Sequence, residues 1–342
     1  MTVRIGINGF GRIGRNYLRA ALSKGADVEV VAINDLAEPS ANAHLLAYDS
    51  TQGRLGLPVS ASADSITVAG KAIPVLAERD PAMIPWENYG ADVVIESTGR
   101  FTSRDKAASH LKGGAKKVVV SAPASGADAT FVVGVNDHLF DSAVHEVVSN
   151  ASCTTNCVVP MAKVLDDAFG IQNGLMTTVH AYTNDQNVLD LIHTDMRRAR
   201  AAAVNVVPSS TGAARATGLV LEQLKGRLDG ISLRVPVPVG SITDLVVIVN
   251  GEVDTKAANE AFAKAAAEGP LASILKYSEE PLVSSDIVGT PASCTFDSGL
   301  TMAMPLGNGT SLLKVFGWYD NEWGSANRLV DLSVVVGGGK RA

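Results

Sequence analysis

Cys153 is a candidate nucleophile, and His180 is the one histidine whose place in the sequence sets it apart. Cys153 stands in Ser149-Asn150-Ala151-Ser152-Cys153-Thr154-Thr155-Asn156-Cys157, where a short strand-like run gives way to a helical pattern over 153–169. A thiol on the first turn of a helix meets the positive end of the macrodipole, which favours thiolate and hence a nucleophile. The other reading open at this point is a structural thiol in the core, the commoner fate of an isolated cysteine. His180 lies in Leu175-Met176-Thr177-Thr178-Val179-His180-Ala181-Tyr182-Thr183, an alternating strand pattern that leads into a binding loop. His44, His110, His138, His145 and His193 carry no usable pattern. Cys157 has no second cysteine pair to complete a metal site, and an i,i+4 helical pair is poor disulfide geometry. It reads as a core residue, and no metal is expected.

Anion-binding groups cluster after the thiol. Ser209-Ser210-Thr211-Gly212 precedes a helical pattern over 213–224, so hydroxyls and free N–H groups converge at a positive helix end. Arg197-Arg198-Ala199-Arg200 lies within residues 184–208, where no periodicity holds. An aperiodic stretch of that length inside a compact domain is usually functional. The cluster is either a solvated basic face or a contact for phosphate or another subunit.

These groups need elements to hold them. Val3-Arg4-Ile5-Gly6-Ile7-Asn8 reads as a strand, followed by Gly9-Phe10-Gly11-Arg12-Ile13-Gly14, a helical pattern closed by Gly25, and a second strand ending at Asn34-Asp35. That is a βαβ unit in which Gly9 and Gly11 let backbone approach a pyrophosphate at a helix N-terminus. Asp35, placed to accept hydrogen bonds from an adenosine ribose, would repel a 2′-phosphate and so favours NAD over NADP. Strand-like runs at 66–68, 72–76, 92–96, 117–120 and 131–133, with a helix over 103–111, imply an α/β, doubly wound, mainly parallel Rossmann sheet. Glu96-Ser97-Thr98-Gly99 and Ser121-Ala122-Pro123 are its strand-end loops. Beyond the cysteine helix, in which Pro160 should produce a kink or an early end, strands run at 231–237, 243–249, 293–296, 301–304 and 311–318. Consecutive strands of this kind suggest a mixed or antiparallel sheet, and hence a second, α+β domain.

Composition narrows the class. With 342 residues, 46% hydrophobic and 19% charged, the chain reads as two globular domains. A net charge of −6 speaks against nucleic acid as the main partner. Three cysteines are too few for a disulfide framework and fit a reducing compartment. Neither a signal-peptide pattern nor a bilayer-length apolar run is present, so a cytoplasmic protein without membrane association is expected.

In this order the pieces resemble the phosphorylating glyceraldehyde-3-phosphate dehydrogenase family over essentially the whole chain. The motifs are INGFGRIGR (7–15), SNASCTTNC (149–157), TTVHAYT (177–183), RRARAAA (197–203), STGAA (210–214), LRVPVP (233–238) and WYDNEWG (318–324). The resemblance implies an NAD-binding Rossmann domain over 1–152, completed by a C-terminal helix of about 319–342, and a catalytic domain over 153–318. It implies Cys153 as nucleophile and His180 as base. Arg12, Ile13, Asp35, Arg79, Ser121 and Asn321 would hold NAD, with Gly9 and Gly11 in the loop. Ser152, Cys153 and Thr154 would contact glyceraldehyde 3-phosphate; Thr183, Arg198, Thr211, Gly212 and Arg234 would bind its phosphate and inorganic phosphate. The implied chemistry is a hemithioacetal on Cys153, a thioester, and an acyl phosphate product, in a homotetramer to which residues 184–207 contribute an intersubunit loop. Val237, Val239, Gly240, Ser325, Ala326, Ser125 and residues 190–196 depart from the common pattern, which raises the possibility of an inhibitor-tolerant isoenzyme. Erythrose-4-phosphate dehydrogenase, aspartate-semialdehyde dehydrogenase and a nucleotide-binding protein without catalysis are the competing readings.

Overall fold

The computed structural model describes residues 2–339. Two compact units account for them. One runs through Ser152 and takes up the chain again from Ala326; the other is Cys153–Ser325. Residues 319–325, expected with the nucleotide-binding half, therefore belong to the second unit.

In the first unit the strands Val3–Asn8, Val28–Asn34, Lys71–Leu76, Val93–Glu96, Lys117–Val120, Ala129–Thr130 and Val147–Ser149 pair in parallel. The hairpin Val59–Ala61 and Ser65–Val68 extends one edge antiparallel, making nine strands. Ile5, Ile7, Val93, Val94, Ile95, Val118, Val119 and Val120 are all buried, as strands covered on both faces must be. The helix Arg12–Lys24 ends at Gly25 in the left-handed region, φ 58°, a conformation glycine adopts without steric cost. Tyr17 is fully buried on it and shares a 2.8 Å hydrogen bond with Ser333 of the helix Trp323–Val336. Residues 131–133, expected as a strand, are not one: pairing stops at Thr130, and Asn136 ties the turn by accepting from Val132 N–H and donating to Thr130 O. A run of apolar residues buried by packing alone imitates a strand in sequence.

The second unit is a mixed sheet of eight strands, with Leu228–Val235, Ile171–Ala181, Ser241–Asn250 and Thr310–Tyr319 at its centre. Burial alternates along Ser241–Asn250 and Thr310–Tyr319, so one face carries the core and the other is half covered. Cys153–Phe169 is one helix that continues through Pro160, so the early end does not occur. Burial of residues 154–162 holds it, and that tertiary packing outweighs the lost hydrogen bond. Residues 184–206 are mostly irregular, as their lack of periodicity implied, and are laced internally by Leu191 N–H to Ala199 O (2.9 Å) and Ala202 N–H to Asn187 O (3.0 Å).

Candidate active site

The strand Val147–Ser149 turns into the cysteine helix through Ala151, whose φ of 58° is unusual for a residue with a side chain. Ser149 Oγ steadies this turn by accepting from the Ala151 N–H at 3.0 Å and donating to Ala122 O at 2.8 Å. Cys153 is the first residue of the helix, so its own N–H is among those without an intrahelical partner. Its Sγ lies 3.4 Å from His180 Nε2. His180 Nδ1 lies 2.6 Å from Ala181 O. A carbonyl only accepts, so Nδ1 carries the proton and Nε2 presents its lone pair to the thiol. The two side chains the sequence singled out are brought together in a donor–acceptor pair.

The register of the sheet adds a cation. Parallel pairing of Leu228–Val235 with Ile171–Ala181 sets Arg234 directly beside His180. Burial, then the charge of Arg234, lowers the His180 pKa from 6.5 to about 4, although the Ala181 carbonyl and Asp185 oppose the shift. Cys153 keeps part of its surface exposed, yet burial of the thiol prevails and pushes its pKa up, against Arg234 and the hydrogen bonds to Thr154. Both directions favour a neutral thiol beside a neutral imidazole, and burial of the thiol opposes the thiolate that a helix start alone favours.

Tyr319, which sequence reading did not single out, pins the pair. Its hydroxyl meets Thr154 Oγ at 2.8 Å and Thr178 Oγ at 2.7 Å, and its ring packs edge-on to His180 with centroids 5.9 Å apart. It ties the cysteine helix to the histidine strand. Asn321, two residues on, has its Oδ1 held by Gly240 N–H (3.2 Å) and Ser241 Oγ (3.1 Å), so its amide nitrogen is the side available to a ligand. Gly240 is one of the departures from the family pattern. It adopts φ 92°, and a Cβ there would lie 2.3 Å from Ser284 O.

Thr183, Arg198 and Arg234 converge on the His180 side of the sheet, where both arginine charges act on the imidazole. Arg234 Nη1 donates to Thr183 Oγ at 2.6 Å, while its buried Nε has no partner and remains a donor to spare. Arg198 donates through Nε to Ser209 Oγ and through Nη2 to Ser210 O, both at 3.3 Å, which links this cluster to Thr211 and Gly212. Gly212 caps the helix Ala213–Val220, and nothing stands within 4 Å of where its Cβ would be. Thr183, Arg198 and Arg234 thus form a basic patch, and Thr211 and Gly212 follow directly in the chain from Ser210 at its edge.

In the first unit, a groove of about 300 Å³ opens at the strand ends, lined by Gly9, Gly11, Asp35, Arg79, Thr98 and Phe101 among others. A dinucleotide fits the groups present. Gly11 precedes the helix Arg12–Lys24 with no side-chain cap and with open space where a Cβ would be. A Cβ on Gly14 would strike Gly9 O at 2.2 Å, so that glycine closes the loop onto the helix. Asp35 accepts from Phe10 N–H (2.6 Å) and Ala37 N–H (2.9 Å), one at each oxygen, and both oxygens retain a lone pair for ribose hydroxyls. The Arg12 guanidinium is engaged by Asp49 (3.1 Å) and Thr51 (2.6 Å), so the main-chain amides of Arg12 and Ile13 are what a phosphate would meet. Ser121 sits at the end of Lys117–Val120, its N–H bonded to Glu96 O, and is not among the residues lining the groove. Asn321 belongs to the second unit. Beneath the groove, Glu96 accepts from Asn8 Nδ2 (2.6 Å) and His110 Nε2 (2.9 Å). Trp86 Nε1 donates to His110 Nδ1 at 3.1 Å, which assigns that histidine's proton to Nε2. His110 carried no signal because its partners come from three separate strands and turns. Among the described residues no cluster of His, Cys, Asp and Glu could hold a metal, and no helix is long and apolar enough to cross a membrane.

Residues 3–104 match the family model described as glyceraldehyde 3-phosphate dehydrogenase, NAD binding domain. Residues 152–321 match the model of the same family's C-terminal domain. Glyceraldehyde-3-phosphate dehydrogenase 2 of Streptomyces avermitilis is 63% identical over 98% of this chain and 99% of its own length. The glyceraldehyde-3-phosphate dehydrogenase of Streptomyces coelicolor has the same identity and coverage. That of Mycobacterium bovis is 58% identical, again over 98% and 99%.

Proposed function

Since the chain belongs to the glyceraldehyde-3-phosphate dehydrogenase family and is an NAD-dependent dehydrogenase, we propose that Cys153 carries the acyl group and His180 moves the protons. The 3.4 Å approach of Sγ to an Nε2 whose proton is kept on the far nitrogen carries this reading. The thiol proton passes to Nε2 as sulfur adds to the aldehyde carbon of glyceraldehyde 3-phosphate. The new imidazolium and the Cys153 N–H face the oxyanion, which takes the proton back to give a hemithioacetal. Neutral again, His180 accepts the hydroxyl proton as the carbon is oxidised to the thioester. NAD, when bound, would supply the hydride acceptor for that step, and the Gly9–Gly11 loop, the amides of Arg12 and Ile13, Asp35 and Arg79 would hold it. An oxygen of inorganic phosphate then attacks the thioester carbonyl, the thiolate leaves and recovers its proton, and an acyl phosphate departs. Thr183, Arg198 and Arg234, with Thr211 and Gly212, neutralise the substrate phosphate and the attacking one. Ser152 and Thr154 flank the reacting carbon.

An assay of NADH formation tests this reading. With glyceraldehyde 3-phosphate and NAD, turnover should require phosphate or arsenate, and without either it should stop after about one NADH per Cys153 as the thioester accumulates. Continued turnover at the same rate without any anion would mean that water resolves the thioester, the outcome expected of an erythrose-4-phosphate dehydrogenase.

A homotetramer belongs to the same reading. Val188, Leu189 and Ile192 are 80, 76 and 97% exposed on the irregular loop, and Met196, Val204 and Val206 are exposed along the same stretch. So many exposed apolar side chains in one stretch support an interaction surface. Light scattering in solution should give the mass of four chains, and Ile192→Glu should lower it. A monomeric wild-type protein would refute this assembly.

A further inference from the structure

The basic patch around Arg198 and Arg234 already holds an anion belonging to the chain. Asp185 Oδ2 accepts from Arg198 Nη1 at 2.6 Å, and Oδ1 accepts from the Thr183 hydroxyl and lies 3.8 Å from Arg234 Nη1. One carboxylate thus engages three of the five residues assigned to phosphate. Resting on that assignment, we infer that Asp185 is an internal occupant of the phosphate site that incoming phosphate must displace, and that it sets the site's affinity.

The two sides of this contact differ in how they are held. Arg198 keeps Ser209 Oγ, Ser210 O and Asp195 as partners when Asp185 leaves, and Arg234 keeps Thr183, two residues past the end of the neighbouring strand. Asp185 is a short side chain, 36% exposed, at the start of the irregular loop. The cations are fixed and the carboxylate is the part that can swing away. Burial opposes its ionisation, but the Thr183 hydrogen bond and the two arginines hold its pKa below the ordinary range, so it stays charged. A phosphate dianion and this carboxylate would compete for the same donors and repel each other. The carboxylate keeps the arginines ordered and partly neutralised while no ligand is present, at a cost in phosphate affinity. That exchange also limits how tightly an acyl phosphate product is retained.

Inorganic phosphate titrated calorimetrically into the full chain at fixed ionic strength decides the matter, with wild type, Asp185→Asn and Arg198→Gln compared. Asp185→Asn should bind phosphate about tenfold more tightly, a gain that mere damage to a structural ion pair would not produce. Its KM for phosphate should fall alongside. Arg198→Gln should weaken binding by a similar factor. Unchanged or weaker binding in Asp185→Asn, with Arg198→Gln weakened, overturns the inference and leaves the phosphate assignment standing. Unchanged binding in Arg198→Gln removes that assignment and the inference with it. Asp185→Ser gives the same reading should asparagine disturb the loop.

Discussion

Cys153→Ser is expected to lower kcat for aldehyde oxidation by at least about 10⁴-fold while NAD binding persists. A serine hydroxyl fits the first turn of the helix as well as a thiol does, so the turn through Ala151 and the contacts of Tyr319 should survive. What is lost is nucleophilicity: an alcohol beside a neutral imidazole is a far weaker attacking group, and an oxygen ester is less reactive toward phosphate than a thioester. The groups assigned to the dinucleotide lie mainly in the first unit and are untouched. NADH formation and NAD titration on one preparation separate the two effects, and retention of a tenth of the activity would exclude Cys153 as acyl carrier. Cys157→Ser is the control. Its sulfur is buried against Met161 Sδ (3.9 Å) and Gly317 O (3.5 Å), so that variant should lose roughly 1–2 kcal/mol of stability and little catalysis.

The contrast between the two cysteines shows what the sequence carries and what it does not. Elements written by local periodicity were legible: the first βαβ unit and the helix over Cys153–Phe169 lie where the pattern puts them, and the histidine strand, read over 175–183, runs from Ile171 to Ala181. That Gly9, Gly11 and Asp35 meet at one groove was legible, because the spacing of a βαβ unit sets its glycine loop and the end of its second strand side by side. The ionisation of the thiol was not. It depends on burial and on Arg234, which reaches His180 only through the register of two strands far apart in sequence. Tyr319 and Asp185 were missed for the same reason, since their roles consist of contacts from separate elements. Asp185 had a faint signal, a carboxylate two residues after Thr183, but its meaning required the position of Arg198. Pro160 did not end its helix, because burial of the residues around it holds the turns on both sides.

His180→Asn should lower kcat by roughly 10²- to 10⁴-fold at neutral pH, and its pH profile should change shape as well as height. In the wild type the base is neutral wherever pH exceeds about 4, because burial and Arg234 disfavour the imidazolium. The acid limb of kcat/KM should therefore lie well below the ordinary histidine value of 6.5, and activity should be nearly flat across pH 6–8 if the thiol is deprotonated by His180 during attack. Asparagine cannot take that proton. The variant then depends on thiolate formed from solvent, so its rate should climb about tenfold per pH unit toward the raised thiol pKa. Alkylation of Cys153 by iodoacetamide should show the same contrast without NAD or aldehyde present. Stability has its own sign. The unfolded chain takes up a proton on this histidine near pH 6.5 and the folded one only near 4, so folding binds fewer protons between these values. Wild-type stability is then full above pH 6.5 and falls on acidification toward pH 4, by roughly 3 kcal/mol from this group, a loss His180→Asn should not share. Denaturant unfolding of both proteins at pH 5 and 7 measures the difference. An equal drop in the two would place the titrating group elsewhere, and parallel pH–rate profiles would remove His180 as the base.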